Sequence, residues 1–349
     1  MRLRIGLVGA GGIGLVRARA LARSADCELV AVADPIRERA EEAARASRAR
    51  VVRDHHELLD SPDVDALVVS VRPDLHEEVV LAGLGAGKHV LCEKPLCNGV
   101  DGARLMVERA RGARLALATG FNHRYFPMIQ RVKRAVESGE IGELDHVRAF
   151  AGHTGMSELP APWLTDPAVM GGGALMDVGI HVLDLVRFVF GEVVEVQGRA
   201  SEGVWRIRGC EDNGFALLRR ADGKVASVQA SWTEWRGYRF WIAAYGTHGT
   251  AWAFYAPMLG MIVRMDRPGG RRRRRIHLYP RVNLMEKVRD WRWTVVRTFL
   301  EEFRDFRRLV AGERGSIAEG FDGFRAVEIA QAVRRSSADG SPVRLCEPF

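Results

Sequence analysis

Cysteine is scarce in this 349-residue chain, at Cys27, Cys92, Cys97, Cys210 and Cys346 only. The five are scattered, odd in number and form no CxxC pair. That pattern fits the reduced thiols of a cytoplasmic protein better than a disulfide framework or a structural zinc site. An apolar run of the roughly 20 residues that spans a bilayer is lacking too, so no membrane partner is expected. Ile5 to Val16 sits behind Arg2 and Arg4 as the core of a signal peptide would, but it holds five glycines, which make a poor helix. Broadly spread positive charge is also missing: five of the eight excess positive charges lie in the run Arg271 to Arg275. A surface that tracks nucleic-acid phosphates is therefore not expected. Repeats and low-complexity linkers are absent.

What is present is an ordinary hydrophobic share, 47%, in a chain long enough for about two domains. Arg2 to Val8 is a run of strand length that leads into Gly9-Ala10-Gly11-Gly12-Ile13-Gly14, after which Leu15 to Arg23 favours helix. A GxGxxG turn between strand and helix is built for a pyrophosphate: Gly9 for the turn, Gly11 for close approach, Gly14 for strand-helix packing, and the helix N-terminus for the negative charge. A second strand, Glu28 to Ala33, ends at Asp34, about 20 residues beyond Gly14, where an acidic residue reaches the adenosine ribose. A carboxylate there repels a 2'-phosphate. NAD is the expected cofactor, with NADP kept open by Arg37 and Arg39 nearby.

Strand and helix alternate to Thr119, which predicts a doubly wound parallel sheet over residues 1–122. Ligands in such sheets sit beyond the carboxyl ends of the strands. Arg72-Pro73-Asp74-Leu75-His76, Glu93-Lys94-Pro95 and Gly120-Phe121-Asn122-His123-Arg124 therefore face the cofactor. Arg72, Pro73, His76 and Glu93 are expected among the cofactor contacts, and Lys94 can aim an ammonium at a substrate hydroxyl near the nicotinamide. Beyond Asn122 the pattern changes to alternating strands between 144 and 255, with Asp222-Gly223 as a hairpin turn. The expectation for 123–349 is an α+β domain with a large, mostly antiparallel open sheet. Such a sheet needs a cover on both faces, so a homodimer or homotetramer is expected. Trp205, Trp232, Trp235, Trp241 and Trp252 are assigned to sheet and interface packing rather than to sugar stacking. Pro268 to Arg275 is assigned to a solvated basic hairpin tip or loop.

In Gly171-Gly172-Gly173-Ala174-Leu175-Met176-Asp177-Val178-Gly179-Ile180-His181-Val182-Leu183-Asp184 a glycine turn meets a helix. At helical spacing Asp177, His181 and Asp184 share one stripe. Carboxylates beside an imidazole make a plausible proton-handling device, and spacing alone fits a half-buried structural stripe equally well. A metal site on the same three residues would need further ligands, and nothing at a fixed spacing supplies them; no metal is expected.

These segments together resemble the Gfo/Idh/MocA family of nicotinamide-dependent oxidoreductases. The likeness runs through Gly9 to Gly14 with Asp34, Ala86 to Pro95, Gly120-Phe121-Asn122, Gly171 to Asp184, Gly246 to Thr250 and the helix at Gly320 to Ser336. It implies that Lys94 is the lysine of a Glu-Lys-Pro motif, that His181 is the catalytic histidine and that Asp177 is its companion. Arg72-Pro73-Asp74 departs from the family's usual Thr-Pro-Asn, and His123 occupies a variable place. The expected activity is hydride transfer between NAD and a secondary alcohol or ketone of a sugar, polyol or cyclitol. Lys94, Asn122, His123, Asp177 and His181 are the expected substrate contacts. An enzyme that cycles NAD during elimination or glycosidic cleavage, and a non-catalytic NAD-binding regulator, are the alternatives.

Overall fold

Short apolar segments without alternation form a parallel sheet in the first part of the chain, because parallel strands are buried on both faces. The strands are β1 (Leu3–Val8), β2 (Cys27–Ala33), β3 (Arg50–Val52), β4 (Ala66–Val69), β5 (His89–Cys92) and β6 (Leu117–Thr119). In chain order the helices are α1 (Gly12–Leu21), α2 (Arg37–Ala44), α3 (His56–Leu59), α4 (His76–Gly85), α5 (Val100–Ala113), α6 (Pro127–Glu137), α7 (Pro167–Met170), α8 (Ile180–Phe190), α9 (Pro280–Arg289), α10 (Arg292–Val310) and α11 (Gly320–Asp339). Across the sheet the order is β6-β5-β4-β1-β2-β3, with the short strand Ala318–Glu319 added antiparallel beside β6. This is the dinucleotide-binding order, and its direction of growth reverses between β1 and β4. The computed structural model describes residues 2–157 and 161–347.

By its contacts the chain divides into Met1–Tyr125 with Met285–Phe324, and Phe126–Leu284 with Arg325–Phe349. The sequence reading had placed all of 123–349 in one domain. The return of α10 has a packing cause, since Phe299, Phe303 and Phe306 join Ile5, Leu7, Val16 and Leu29 in one buried cluster. A buried ion triad lies beside it. Arg17 of α1 donates through Nε to Glu93 Oε1 at 2.6 Å and through Nη1 to Glu302 Oε2 at 2.9 Å. Its guanidinium stands 4.1 Å from the centre of the Phe299 ring. One cation between two carboxylates leaves a surplus negative charge. Burial pushes the Glu302 carboxyl up to about 7 against the pull of Arg17, and Glu93 adds to the rise.

The second unit carries a nine-stranded sheet. Its main strands are β7 (Leu144–Gly152), β8 (Glu195–Ser201), β9 (Asn213–Arg219), β10 (Val225–Ser231), β11 (Arg239–Gly246), β12 (Gly249–Tyr255), β13 (Leu259–Met265) and β14 (Arg272–Leu278). They run in the order β14-β13-β12-β11-β7-β10-β9-β8, followed by the short strand Val343–Arg344. Every pairing is antiparallel except β7 with β10. One face, with Ala149, Val228, Ala216 and Ile242, is buried; α6 and α8 pack on this sheet. The opposite face is open.

Two expectations are corrected here. Arg272 to Arg275 are not a loop but the first half of the edge strand β14, whose residues Arg272 to Leu278 pair with Met265 to Leu259. Four consecutive arginines mask the strand signal, and their charge blunts an exposed sheet edge. The segment Pro167–Phe190 does have the length and hydropathy of a membrane-crossing helix, and 94% of its most apolar window is buried inside the protein. Its apolarity is that of a helix at the centre of a domain.

Removing the cation of the triad leaves two buried carboxylates facing each other. Arg17→Ala is expected to destabilise the first unit by about 3–5 kcal/mol, read as a lowered thermal or urea midpoint. Arg17→Lys should restore little of it, because an ammonium lacks the planar fork that bridges both carboxylates. An unchanged midpoint in Arg17→Ala would show that the triad is not what holds α1 to α10.

Candidate active site

In the first unit the glycine turn follows β1 directly. Gly9 has a φ of +90°, in the region that favours glycine. A Cβ at Gly14 would collide with the Gly9 carbonyl, so only glycine lets α1 start against the strand. By contrast a Cβ at Gly11 or Gly12 would meet nothing within 4 Å. The first backbone bond of the helix is Leu15 N–H to Gly11 O at 2.9 Å, and no side chain caps it. The amides of Gly12, Ile13 and Gly14 therefore belong to an uncapped helix start beside open space, which fits a pyrophosphate.

Asp34 closes β2 and is buried. It accepts from Ala10 N–H at 2.7 Å through Oδ2 and from Ile36 N–H at 2.9 Å through Oδ1. It thus braces the glycine turn, and each oxygen keeps a lone pair for a ribose hydroxyl. Arg37, the cation that would favour a 2'-phosphate, is paired with Glu41 at 2.7 Å.

The other cofactor-side residues take three different places. Arg72 is half exposed and held by Asp74 at 2.7 Å. Pro73 is buried and opens a short 3-10 turn, Pro73–Leu75. His76 is fully buried, with Nδ1 2.9 Å from Pro95 O and Nε2 3.2 Å from Val71 O. Burial lowers its proton affinity against the pull of these carbonyls. Its place is beneath the turn that carries Lys94, so the expected cofactor contact becomes a positioning role. Glu93 is also spent on positioning: Oε1 takes Arg17, and Oε2 accepts from Lys94 N–H at 3.1 Å. The Lys94-Pro95 peptide is cis.

Asn122 and His123 follow β6. Asn122 donates its side-chain amide to Thr298 Oγ1 of α10 at 2.9 Å, and its Oδ1 lies 3.1 Å from His123 Nδ1. Burial, with the Lys94 ammonium adding to it, brings the His123 imidazole down to about 3. His123 is thus a neutral ring beside Lys94. It can exchange hydrogen bonds at physiological pH without gaining charge.

In the second unit the Gly171 to Gly173 turn leads into a π-helical turn, Leu175–Gly179, that continues as α8. Wide turns of this kind recur at functional sites. Asp177 stands in the wide turn and His181 in the first turn of α8, both buried with about a tenth of their surface open. Asp177 Oδ2 receives two hydrogen bonds, from Trp232 Nε1 at 3.0 Å and from His153 Nε2 at 2.8 Å. The tautomer follows from the neighbouring bond. Gly155 N–H donates to His153 Nδ1 at 2.9 Å, so Nδ1 is an acceptor and Nε2 carries the hydrogen. Asp184 is fully buried on the same helix.

The glycine turn itself is held from one side by Glu211. Its Oε1 accepts from Gly173 N–H at 3.1 Å and Leu175 N–H at 2.9 Å, and its carbonyl accepts from Ala174 N–H at 2.8 Å. Arg334 of α11 donates to Gly171 O at 2.6 Å and to Gly209 O at 3.0 Å. Sequence reasoning missed His153, Trp232 and Glu211. His153 had a usable signal, since it directly follows β7. The other two come from loops whose partners no spacing reveals.

The order of the first sheet, the glycine turn with its acidic brace and the lysine at the end of β5 define a dinucleotide-dependent oxidoreductase with a second, open-sheet unit. Comparison with known proteins narrows this. Residues 3–121 match the oxidoreductase family with an NAD-binding Rossmann fold, and residues 129–252 match the GFO/IDH/MocA C-terminal domain. The chain is 30% identical to the myo-inositol 2-dehydrogenase of Thermotoga maritima over 99% of both chains. It is 33% identical to the inositol 2-dehydrogenase of Rhizobium meliloti over 71% of this chain and 74% of that one. A levoglucosan dehydrogenase solved with NADH superposes with a TM-score of 0.87 at 25% identity, covering 100% of each chain. The chain belongs to the Gfo/Idh/MocA family and is an NAD-dependent oxidoreductase.

The open space at Gly11 generates a direct test. Gly11→Val has room in the protein alone, so its thermal midpoint should match the parent. NADH binding, followed by nicotinamide fluorescence, should weaken at least tenfold, about 1.4 kcal/mol. Parent-like NADH affinity would place the pyrophosphate elsewhere.

Proposed function

We propose that this enzyme oxidises a ring carbinol of a cyclitol or sugar and reduces the corresponding ketone. The observation that carries the reading is Asp177 on its wide helical turn, held by His153 and Trp232 and followed one turn later by His181. The names of the relatives, inositol and levoglucosan dehydrogenases, supply the substrate class. Bound NAD supplies the hydride acceptor. His181 takes the proton of the substrate hydroxyl, and Lys94 donates to the oxygen as negative charge gathers on it. Asp177 orients the reacting hydroxyl, and its own position is fixed by two hydrogen bonds. His123, neutral and beside Lys94, and Asn122 support the lysine from the end of β6. NAD is preferred over NADP because Asp34 closes β2 and Arg37 is engaged by Glu41.

The assembled form we propose is a homodimer joined through the open face of the large sheet. In the ladder register Leu278, Leu259, Phe254, Trp241, Phe150, Gln229, Phe215 and Arg199 fall on one face, a mostly apolar row across eight strands. Phe215, Leu217, Ile276 and Leu278 are each about half exposed or more. A second copy satisfies this face by symmetry. The compartment proposed is the cytoplasm, in keeping with five scattered cysteines that form no CxxC pair.

Lys94→Ala and His181→Ala should each lower kcat by roughly 100- to 10,000-fold on a cyclitol and sugar panel with NAD, while NADH affinity stays at the parent value. Near-parent turnover in both would dismiss the assignment. Leu217→Arg should convert the sedimenting species from dimer to monomer; a dimer that survives would move the interface off this face.

A further inference from the structure

Trp205 and Trp235 are not absorbed by the sheet, the core or the proton-handling group. They lie in the loops 202–212 and 232–238, at the end of the large sheet where β7, β8 and β10 finish and β9 and β11 begin. That end also carries His153. Their ring centres are 6.0 Å apart at 58°. Trp235 is 63% exposed, the most open of the large aromatic side chains among the described residues.

The loops that carry both rings are tied to the site. Asp212, fully buried, accepts from Val204 N–H at 2.6 Å and from Trp205 N–H at 3.2 Å, while its carbonyl accepts from Trp232 N–H at 2.7 Å. Trp205 Nε1 in turn donates to Trp232 O at 3.0 Å. The indole of that same Trp232 donates to Asp177. On the other side Glu234, the neighbour of Trp235, donates its N–H to His153 O at 3.1 Å. Arg236 holds the Glu234 carboxylate at 2.8 Å, so the rim of the pair is a closed ion pair and the rings present apolar faces. An aromatic pair with one half-buried and one exposed ring, carried on loops joined through Trp232 and Glu234 to both partners of Asp177, costs stability if left bare, and an apolar ring face is what it fits.

We propose that Trp205 and Trp235 form a stacking subsite for a second sugar ring, so that the preferred substrate is a glycosylated cyclitol or a disaccharide rather than a single ring. The inference rests on the proposed oxidation of a ring carbinol and adds the substrate's size. Trp232 separates the pair from Asp177 by the length of an indole, so the ring on the shelf is not the ring being oxidised but one attached to it. The C–H face of a pyranose lies on the indoles, and its hydroxyl edges stay in water. Trp205 offers no hydrogen of its own, because its Nε1 is spent on Trp232 O. Selection is therefore by ring face rather than by hydroxyl pattern.

The experiment compares KM for myo-inositol with its galactoside, and for glucose with cellobiose, using the full protein with NAD. The expected result is a KM for the two-ring compounds lower by about two- to tenfold, the size of an aromatic contact. In Trp235→Ala that advantage should vanish, with one-ring KM, NADH affinity and sedimentation unchanged; Trp235→Phe should keep most of it. The proposal is overturned by equal KM values in the parent, by an advantage that survives Trp235→Ala, by an equal rise for one-ring compounds, or by an altered oligomer in that variant. Titrating the same compounds by tryptophan fluorescence separates the two readings. Two-ring binding lost in Trp235→Ala without any turnover supports the shelf and sinks the oxidation, whereas one-ring turnover indifferent to Trp235 does the reverse. Neither binding nor turnover would sink both.

Discussion

One carboxylate oxygen, Asp177 Oδ2, takes hydrogen bonds from a histidine at the end of β7 and a tryptophan after β10. These two bonds pin the wide turn that holds Asp177 to the sheet. A buried carboxylate requires such partners, since without them its burial would cost several kcal/mol. The pinning fixes the turn that leads into the helix of His181, and through Asp212 and Glu234 it is continuous with the loops that carry Trp205 and Trp235. Glu211 and Arg334 serve the same end from behind by taking up the amides and carbonyls of the glycine turn.

The first unit shows a parallel logic. The turn that carries the lysine of the Glu-Lys-Pro motif is held by its neighbours. Glu93 accepts the Lys94 amide and is fixed by Arg17, and His76 lies under Pro95. Arg17 extends the chain of constraint to Glu302 on a helix almost three hundred residues later in the sequence. The cofactor turn, the lysine turn and the core of the unit are thereby fastened at one buried guanidinium. His76 and Glu93, which sequence inspection ranks as ligand contacts, are bonded to the turn that carries Lys94.

Much of the architecture is legible in the chain itself. GxGxxG between a strand and a helix, with Asp34 at its spacing, determines a dinucleotide fold because few residues other than glycine tolerate those contacts. Alternating strands after residue 144 determine an antiparallel sheet, because period two is the spacing of its faces. That Asp177 and His181 stand on one helical stretch was legible for the same kind of reason. Where the local pattern is overridden, it fails: four arginines in β14 conceal an edge strand, and the apolarity of Pro167–Phe190, enough for a membrane-crossing helix, belongs to a segment buried within a domain.

What only the tertiary structure decided has one physical cause: contacts between residues far apart in sequence leave no period and no spacing to read. His153 with Asp177, Arg17 with Glu302 and Glu211 with Gly173 are all of this kind. So is the return of α10 to the first unit, where its phenylalanines complete a core begun by β1. The sequence by itself determined the cofactor turn, the segments that carry Lys94 and His181, and the two kinds of sheet, because each depends on neighbours in the chain. The tautomer of His153, the supports of Lys94 and the pairing of Trp205 with Trp235 were decided by folding, because burial and hydrogen bonding exist only once distant segments meet.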